Sequence, residues 1–453
     1  MKKSKILWAL LFGCVLSVFG GEYSWQLNTG KKSVFKCNET ITFTGQLLKN
    51  GKPAVGTVVQ FVIKGDNKIS KRGKFTVSDT PWSYDISLDF PGWVYVNLYA
   101  LDAKGKRMQS KIKYRGNMIS KNVTAGVGAL VEPEKLQPPR KEPADFDAFW
   151  QSVKKDLASV PLKELEKVPV PPLDKNAKVK VYDIKVACAG GMPVSGYLAM
   201  PDNAGAKSCP AIVTFHGSGV KSATQQLNYA RRGMIALDIN AHGIVNGKGK
   251  EFYLDLRKNR YFVAQDSKSR AHYAHWDRRD REKYYFRGMY MRVMRALEYV
   301  KSLPEWDGKN LIVSGTSQGG AQVIAACALD GDVSLAQAGV PAMCDHSGVL
   351  AAIPRSSGWP ALYKRSSKGQ PDAPAVAECA SYYDGCYFAS RIKCPIYIST
   401  GLLDTTCPPT SVFAAYNCIP AGTVKNMTIV PDKGHSGVSD KAFRKALDLI
   451  IRK

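Results

Sequence analysis

Hydrophobic and polar residues alternate with a period of two from Glu22 to about Val127. The runs are short and rich in Val, Ile, Thr, Tyr and Phe, and turn residues such as Asn50 and Gly51 separate them. This pattern is typical of strands that bury one face, and a series of such strands favours two packed sheets. We therefore predict an N-terminal immunoglobulin-like β-sandwich over residues 22–127. Its Trp82 and Trp93 could stack on a sugar, although core packing is the more common role of tryptophan.

A stretch rich in proline and charge, VEPEKLQPPRKEP, follows this region, and we predict a linker over residues 128–144. The hydrophobic period then changes to that of a helix. Phe146, Phe149 and Trp150 recur on one face of a predicted amphipathic helix, which opens a second domain over residues 145–453.

Apolar runs alternate with helical segments in the rest of the chain. AIVTFHG, MIALDIN and NLIVSG have the length and composition of buried strands, and helices are predicted between them. Strands that alternate with helices indicate a mostly parallel sheet that helices cover on both faces. We therefore expect the second domain to have an α/β fold. A predicted helical insert, from about Gly247 to Asp280, carries four aromatic residues that could stack on a sugar or pack in the core: Tyr253, Tyr261, Tyr273 and Trp276.

The first twenty residues, MKKSKILWALLFGCVLSVFG, combine a basic start with an apolar run that is short for a membrane span. We interpret residues 1–20 as a signal peptide, and we expect an exported protein, periplasmic or extracellular, without an integral membrane span. The formal net charge of +26 falls to +23 when the three lysines of this segment are removed. A basic exported chain is attracted to acidic surfaces. The sequence contains no basic stripe with interleaved aromatics, which is the pattern that predicts nucleic-acid binding.

Ten cysteines lie outside the predicted signal peptide, and they form no Cys-x-x-Cys pair and no His/Cys cluster with zinc spacing. We therefore predict no metal site and no cofactor. Cys379 and Cys386, which lie in a polar stretch, are the best candidates for a disulfide in an exported protein.

The most informative stretch is LIVSGTSQGGAQVIAACAL, residues 311–329. It contains a G-x-S-x-G motif, from Gly315 to Gly319, between a predicted buried strand and a predicted helix. Side chains two positions on either side of the serine would clash in so tight a turn, and the turn presents the serine hydroxyl at the end of the strand. Alternatively, the serine is only a small residue of a glycine-rich loop. The strand–turn–helix context favours Ser317 as a nucleophile.

A serine nucleophile needs a base and a carboxylate that orients the base. Among the six histidines, His435 lies just after the last predicted strand, and Asp404 follows the PIYISTG strand. Ser317, Asp404 and His435 thus follow three strands in the chain order of the α/β-hydrolase fold. Asp345 is a rival for the acid because it follows the preceding predicted strand.

A serine esterase also needs two N–H donors for the oxyanion that develops during acyl transfer. The predicted donors are the backbone of Gln318, directly after the nucleophile, and the backbone of Ser218. Ser218 lies in the His216-Gly217-Ser218-Gly219 loop after the first central strand. We expect His216 to brace this loop.

With these residues identified, the region from about Asp145 to the C-terminus resembles the acetyl xylan esterase/cephalosporin C deacetylase family, carbohydrate esterase family 7. The resemblance implies an α/β-hydrolase that removes acetyl groups from sugars, with Ser317, Asp404 and His435 as the triad and Gln318 with Ser218 as the oxyanion hole. It rests on the FDAFW helix, His216-Gly217, the helix YYFRGMYMRVMRALEYV, Trp306-Asp307, GTSQGG, and GLLDTTCPP before KGH.

Three positions depart from the pattern of this family. Ser218 stands where the family usually has an aromatic residue, Asn240-Ala241-His242-Gly243 replaces an Arg-Gly pair, and Ser436 replaces an acidic residue. The first two bear on the shape of the acyl pocket and on the choice of sugar. Compact members often form hexameric rings, so we consider a homo-oligomer, although the added β domain could block that packing.

The expected function is that of an exported serine carbohydrate esterase, which removes acetyl groups from xylan or acetylated oligosaccharides through an acyl-serine intermediate. One alternative is an α/β-hydrolase that cleaves another ester, such as a methyl or aryl ester, or a peptide bond. Another is a non-catalytic protein that binds polysaccharide, and three catalytic residues in the expected order argue against it. The expected partner is an acetylated polysaccharide or oligosaccharide and not a nucleic acid.

Overall fold

The computed structural model describes residues 15–17, 22–30, 32–114, 116–265, 272–362 and 374–451. The chain divides into two compact units. The β unit comprises Met1–Lys135 together with two short segments, Gly401–Leu403 and Val430–Ser436. The α/β unit comprises Leu136–Thr400, Asp404–Ile429 and Gly437–Lys453. Most of the predicted signal peptide lies outside the described residues, of which Val15–Ser17 is a strand.

Three sheets make up the described part of the β unit. One sheet joins β1, β2, β4, β5 and β8, a second has the order β3-β12-β9-β6-β7, and β10 pairs with β11. The strands are β1 (Val15–Ser17), β2 (Tyr23–Asn28), β3 (Val34–Phe35), β4 (Ile41–Lys49), β5 (Lys52–Pro53), β6 (Val58–Gly65), β7 (Ser70–Thr76), β8 (Trp82–Ile86), β9 (Gly92–Ala100), β10 (Gln109–Tyr114), β11 (Asn117–Asn122) and β12 (Thr124–Val131).

Alternating side chains of these strands meet between the two larger sheets. Phe43 of β4 is fully buried, and Gly45 lies on the same face of the strand. A Cβ atom on Gly45 would lie 2.8 Å from Leu98 Cδ1, which belongs to the other sheet. The turn from β4 to β5 uses Asn50 and Gly51 with φ of 50° and 80°, a conformation that these residue types favour. The alternating pattern and the turn residues therefore explain this hairpin.

The α/β unit contains nine strands and nine α-helices among the described residues. The strands are β13 (Glu164–Pro169), β14 (Val179–Val186), β15 (Val194–Pro201), β16 (Cys209–Phe215), β17 (Ile235–Ile239), β18 (Trp306–Thr316), β19 (Val333–Gly339), β20 (Ile396–Gly401) and β21 (Lys425–Val430), of which the last residues of β20 and β21 fall in the β unit. The helices are α1 (Phe146–Ala158), α2 (Leu227–Ala230), α3 (Lys250–Leu256), α4 (Tyr285–Ser302), α5 (Gln318–Leu329), α6 (Pro374–Ser381), α7 (Gly385–Ala389), α8 (Pro409–Cys418) and α9 (Lys441–Ile451).

The nine strands form one sheet with the order β13-β14-β15-β17-β16-β18-β19-β20-β21. The pairs β13–β14, β14–β15 and β15–β17 are antiparallel, and the pairs from β17 through β16, β18 and β19 to β20 are parallel. The sequence predicts a mostly parallel sheet, and the structure adds antiparallel strands at the β13 edge. In such a sheet the carboxyl ends of the parallel strands meet at one edge, where ligands usually bind.

Helices cover both faces of the sheet. In β16, Val213 and Phe215 belong to a core cluster that also contains residues of α1, α4 and α5. Ile212 points to the opposite face, where it packs in a cluster with Phe443 and Leu447 of α9. A strand that is buried on both faces must be apolar throughout, which is why AIVTF reads as a continuous hydrophobic run.

Two predicted elements differ from the structure. The predicted insert is only partly helical, because α3 continues into a π-helical turn, Arg257–Tyr261, and a 3-10 turn follows later at Tyr273–His275. Residues 266–271 of the insert lie outside the described part. The four aromatic residues of the insert are at most 9% exposed, so they belong to the core and are not available for stacking on a sugar: Tyr253, Tyr261, Tyr273 and Trp276.

The last strand of the β unit, β12, runs on to Val131 and so enters the stretch predicted as a linker. Leu130 and Val131 are fully buried, and they pair with Val34 and Phe35 on one side of the strand. Buried backbone groups need hydrogen-bond partners, which the neighbouring strands supply here. Within the described ranges, no helix is both long and apolar enough to cross a membrane.

Candidate active site

Ser317 lies in the turn between β18 and α5, with φ of 61° and ψ of −121°. A positive φ is uncommon for residues other than glycine, and it marks a turn that its surroundings hold in place. The Ser317 N–H donates to the Gly339 carbonyl at 2.8 Å, and its carbonyl accepts from the Ala342 N–H at 3.0 Å. This geometry is that of a nucleophile elbow, in which a strained turn presents the serine hydroxyl at the end of a strand.

The glycines of the motif are required by close backbone contacts. A Cβ atom on Gly319 would lie 2.0 Å from the Phe215 carbonyl oxygen, and one on Gly315 would lie 2.5 Å from the Gly319 carbonyl carbon. Both distances are far below a van der Waals contact. The expectation that side chains two positions on either side of Ser317 would clash is therefore confirmed.

The two predicted oxyanion donors lie beside the same buried tyrosine. The Ser218 hydroxyl is 2.9 Å from the Tyr273 hydroxyl, which donates to Gln318 Oε1 at 2.6 Å. Because the single hydroxyl proton of Tyr273 is given to Gln318, the Ser218 hydroxyl must donate to the Tyr273 oxygen. The preceding loop residue, Gly217, also lies near the nucleophile, since its Cβ position is 3.5 Å from Ser317 Cβ. A chain of hydrogen bonds thus joins Ser218, Tyr273 and Gln318.

The role of Tyr273 was not predicted from the sequence. Its ring is fully buried, and burial raises the pKa of its hydroxyl to about 12, so it remains a neutral donor. The serine at position 218 was noted as a departure from the family pattern. No local signal connects it with a tyrosine 55 residues further along the chain.

The loop that carries Ser218 is braced by His216, as the sequence suggests. Its Nδ1 lies 2.6 Å from the Gly217 carbonyl, and its Nε2 accepts the Ala241 N–H at 3.2 Å. Because Nε2 is the acceptor, the proton resides on Nδ1, which donates to Gly217. Burial lowers the pKa of His216 to about 4, so the ring is neutral near pH 7.

The Asn240–Gly243 stretch, another departure from the family pattern, packs beside His216 and Tyr273. The Asn240 side chain donates to the Lys221 carbonyl at 2.7 Å, and its Oδ1 accepts the His242 N–H at 2.9 Å. The buried His242 ring lies 2.6 Å from the Tyr285 hydroxyl through Nδ1, and its ring centroid is 4.6 Å from that of Tyr273. Burial holds the pKa of His242 well below its ordinary value, which keeps the ring neutral.

Asp404 follows the end of β20 and is fully buried. Its Oδ1 accepts the N–H groups of Thr406 and Cys407 at 2.8 and 2.9 Å, which fixes the carboxylate in its own loop. Burial raises the pKa of the Cys407 thiol, and a hydrogen bond with Ser317 acts in the opposite direction. Within the α/β unit, Cys407 therefore connects the Asp404 loop with Ser317, a contact that was not predicted from the sequence.

His435 lies in the β unit, in the loop that follows β21, and it is half-buried. The Lys433 carbonyl of this loop accepts the N–H of Leu403, the residue before Asp404, at 2.9 Å. The rival acid, Asp345, is buried, and its Oδ2 accepts a hydrogen bond from Arg355 Nη2 at 2.7 Å. The ion pair with Arg355 accounts for the presence of a buried carboxylate at position 345.

Asp404, Cys407 and His435 are also residue types that could bind a metal ion. A metal binds the thiolate form of cysteine, whereas burial favours the neutral thiol of Cys407. The Asp404 Oδ1 already accepts two backbone N–H groups. The prediction of no metal and no cofactor stays a prediction.

The candidate disulfide between Cys379 and Cys386 is not formed. Both residues are buried free thiols, and none of the other described cysteines forms a disulfide. Cys379 lies in α6, whose apolar face packs into the core, so the stretch that looked polar in the sequence buries its cysteines.

The family of the chain can now be identified. The sequence model of the acetyl xylan esterase (AXE1) family matches residues 129–450. The chain belongs to this family. Members of the acetyl xylan esterase family are carbohydrate esterases and serine hydrolases with the α/β-hydrolase fold. The predicted enzyme class and the fold predicted for the second domain are therefore confirmed.

Individual relatives agree with this assignment. The chain is 32% identical over 322 residues to the acetyl esterase Axe7A of Xylanibacter ruminicola, which covers 70% of this chain and 68% of that protein. An acetyl xylan esterase from Paenibacillus sp. R4 is 27% identical with a TM-score of 0.58, over 71% of this chain and 98% of that one. Acetyl xylan esterase 1 from Thermoanaerobacterium sp. JW/SL YS485 shares the fold, with 23% identity and a TM-score of 0.54 over 71% and 96% of the two chains.

Proposed function

We propose that the protein is an exported acetyl xylan esterase that removes acetyl groups from xylan or acetylated oligosaccharides through an acyl-Ser317 intermediate. The observation that carries the proposal is the turn at Ser317, with its φ of 61° and its place at the start of α5, in a chain of the acetyl xylan esterase family. The family supports the acetyl ester as substrate, and the turn supports the serine as nucleophile.

In the proposed reaction, Ser317 Oγ attacks the acetyl carbonyl while His435 takes the hydroxyl proton. Asp404 orients the imidazole and stabilises its protonated form. The bond between the carbonyl carbon and the sugar oxygen then breaks, and His435 returns the proton to that oxygen. A water molecule attacks the acyl-serine with His435 again as the base, and acetate leaves as Ser317 regains its proton.

The backbone N–H groups of Gln318 and Ser218 would stabilise the oxyanion in both steps. Such donors act only when they are fixed in place before the reaction, and the loss of one typically costs about 100- to 1,000-fold in rate. The hydrogen bonds through Tyr273 and the bracing of the loop by His216 support this role, because they hold both donor residues from behind.

Export and the nature of the first region belong to the same proposal. The basic, apolar segment of residues 1–20 supports cleavage of a signal peptide and a periplasmic or extracellular site of action. The contact of Gly45 with Leu98 across the two larger sheets supports an immunoglobulin-like sandwich in the β unit. Recovery of the protein from the periplasm or medium tests export, and its mass tests cleavage of the signal peptide, which an intact first residue would contradict.

The reaction is tested by acetate release from acetylated xylan, with the mature protein compared with Ser317→Ala. We expect the variant to lose about 10,000-fold or more of the rate. Its thermal stability should stay close to that of the parent. Activity that survives in Ser317→Ala would refute the nucleophile. Turnover of a small aryl acetate without acetate release from xylan would keep the mechanism and exclude the polysaccharide, whereas methanol release from a methyl ester would favour the other ester class.

A further inference from the structure

The β unit includes two short segments from the last part of the chain. One is Gly401–Leu403, which ends directly before Asp404, and the other is Val430–Ser436, which contains His435. The contacts that place these segments in the β unit therefore concern the two loops that carry the proposed acid and base.

The first contact is made by Trp93 of β9. Its indole Nε1–H donates to the Leu402 carbonyl at 2.8 Å, and the side chain is 3% exposed. The ring stacks on Tyr95, with 4.6 Å between the ring centroids. A buried indole N–H requires an acceptor, and here the acceptor is a backbone group two residues before Asp404. Trp93 is thus not available as a sugar platform, the alternative considered from the sequence.

The second contact is made by the backbone of β12. The Gly128 N–H donates to the Pro431 carbonyl at 2.9 Å, four residues before His435. A Cβ atom on Gly128 would lie 2.4 Å from the Leu402 carbonyl oxygen. A Cβ atom on the neighbouring Gly126 would lie 3.0 Å from Leu403 Cδ1. The Gly401–Leu403 segment therefore approaches β12 so closely that Gly128 cannot be replaced without movement, and the Val430–Ser436 segment accepts a hydrogen bond from the same strand.

The two segments are also bonded to each other. Leu402 N–H donates to the Val430 carbonyl at 3.0 Å, and Leu403 N–H donates to the Lys433 carbonyl at 2.9 Å. A displacement of one segment by the strands behind it would therefore be transmitted to the other. Hydrogen bonds thus join strands β9 and β12, the Gly401–Leu403 segment and the Val430–Ser436 segment into one network.

We propose that Trp93 and Gly128 are positioning residues for the esterase reaction, because they hold the backbone segments that place Asp404 and His435. The inference rests on the proposed function, since it assumes that these two residues serve Ser317. It assigns the strands before the family's catalytic region a part in the reaction itself. A reacting group that moves by about 1 Å can lose about 100-fold in rate, so a brace at this distance has a measurable effect.

The main test is Trp93→Phe, which keeps an aromatic ring and removes the N–H donor. The matched control is Trp82→Phe, because Trp82 lies in the same unit but stacks on Phe75, 5.0 Å away, and is half-buried. The measurements are kcat and KM for a small aryl acetate, the rate at which a phosphonate labels Ser317, and the melting temperature. We expect Trp93→Phe to lower kcat and the labelling rate about tenfold. We expect KM to stay within about twofold and the control to match the parent.

A second variant, Gly128→Ala, tests the close approach of β12 to Leu402, because its new Cβ would lie 2.4 Å from the Leu402 carbonyl oxygen. It should lower kcat more than Trp93→Phe does, and it should also lower the melting temperature. Folded Trp93→Phe and Gly128→Ala proteins with parental kcat would overturn the inference, and so would an equal loss in Trp82→Phe. Ser317→Ala separates this result from the proposed function. If Ser317→Ala is inactive while both brace variants are normal, only the positioning role is refuted. If Ser317→Ala is active, the proposed function itself falls.

Discussion

Ser317 and Asp404 both follow strands of the same sheet, but different parts of the chain surround them. Ser317, Gln318 and Ser218 lie in the α/β unit, where glycine contacts within the motif and the buried Tyr273 hold them. The segments next to Asp404 and around His435 lie in the β unit, where Trp93 and Gly128 contact them.

This difference separates two ways of building a site. The turn at Ser317 packs directly against the ends of β16 and β19, so a change in its glycines should damage the fold of the turn. Strands β9 and β12, which are about 300 residues away in sequence, hold the segments Gly401–Leu403 and Val430–Ser436. Loss of the Trp93 N–H donor should leave each local fold intact and alter only the alignment of the reacting groups.

The largest effect is expected from Gly319→Ala on the nucleophile side. The new Cβ would lie 2.0 Å from the Phe215 carbonyl oxygen, which is main chain and cannot move independently of β16. We expect a loss of about 3 kcal/mol or more in the free energy of unfolding, or no folded protein at all. Urea denaturation followed by tryptophan fluorescence measures this loss.

The control for Gly319→Ala is Gly331→Ala, where no atom lies within 4 Å of the new Cβ and φ is not positive. It should change stability by less than about 0.5 kcal/mol. A stable Gly319→Ala protein with a small loss of activity would contradict this comparison. The turn at Ser317 would then keep its fold after a substitution, as we expect only for Trp93→Phe.

A smaller effect is expected from Tyr273→Phe, which keeps the ring and removes the hydroxyl. Gln318 Oε1 then loses its donor, and an unsatisfied buried acceptor costs about 1–3 kcal/mol. We expect kcat to fall about tenfold with little change in KM, because the variant loosens both proposed oxyanion donors and keeps the aromatic ring. Steady-state kinetics on an aryl acetate measure both constants.

The control for this variant is Tyr253→Phe, since the Tyr253 hydroxyl donates to the Val245 carbonyl in the insert. Unchanged kcat in Tyr273→Phe would show that the hydrogen-bond chain does not support the oxyanion donors. An equal loss in Tyr253→Phe would assign the effect to general disturbance of the insert.

The last expected effect is a dependence of stability on pH, which is small between pH 7 and 6 and arises from His216 and His242 in the α/β unit. Burial lowers the pKa of both rings, to about 4 for His216, while the unfolded chain binds a proton near pH 6.5. The free energy of unfolding should therefore fall as the pH drops below 6.5, by about 1.4 kcal/mol per pH unit for each ring. For His216 the fall should end near pH 4.

Asp238 opposes this trend, because burial raises its pKa to about 6. Between pH 6 and its ordinary value near 3.8, the folded state binds the proton more tightly, so Asp238 adds stability as the pH falls. Urea titrations at pH 7, 6 and 5 measure the net slope. His242→Gln should make it shallower and Asp238→Asn steeper, and a parental slope in His242→Gln would contradict a neutral buried ring.

Much of the fold follows from sequence signals that act over short distances. Three local patterns predict where their residues pack. They are the continuous apolar run of β16, the helix with Phe146 and Trp150 on one face, and the glycines around Ser317. The order of Ser317, Asp404 and His435 along the chain adds a hypothesis for the site. Activity measurements on variants of these residues test it.

The rest depends on contacts that no local pattern encodes. From the sequence, Tyr273 could equally stack on a sugar or pack in the core, and no local signal indicates its hydrogen bond to Gln318. Cys379 and Cys386 are disulfide candidates in the sequence because their stretch is polar, whereas the structure buries both as free thiols. Trp93 belongs to an alternating strand like any other, and nothing near it in sequence indicates that its N–H bonds to Leu402.

The composition of the β unit has a consequence for synthesis. Its last strand, β12, ends at Val131, and Gly401–Leu403 leave the ribosome roughly 270 residues later. At about 5–20 residues per second, the strands wait roughly 15 to 50 s for the segments that accept their hydrogen bonds. During this time the Trp93 indole lacks the Leu402 carbonyl. A premature stop before Gly401 would therefore remove the proposed acid and base and would also leave the β unit without two of its own pieces.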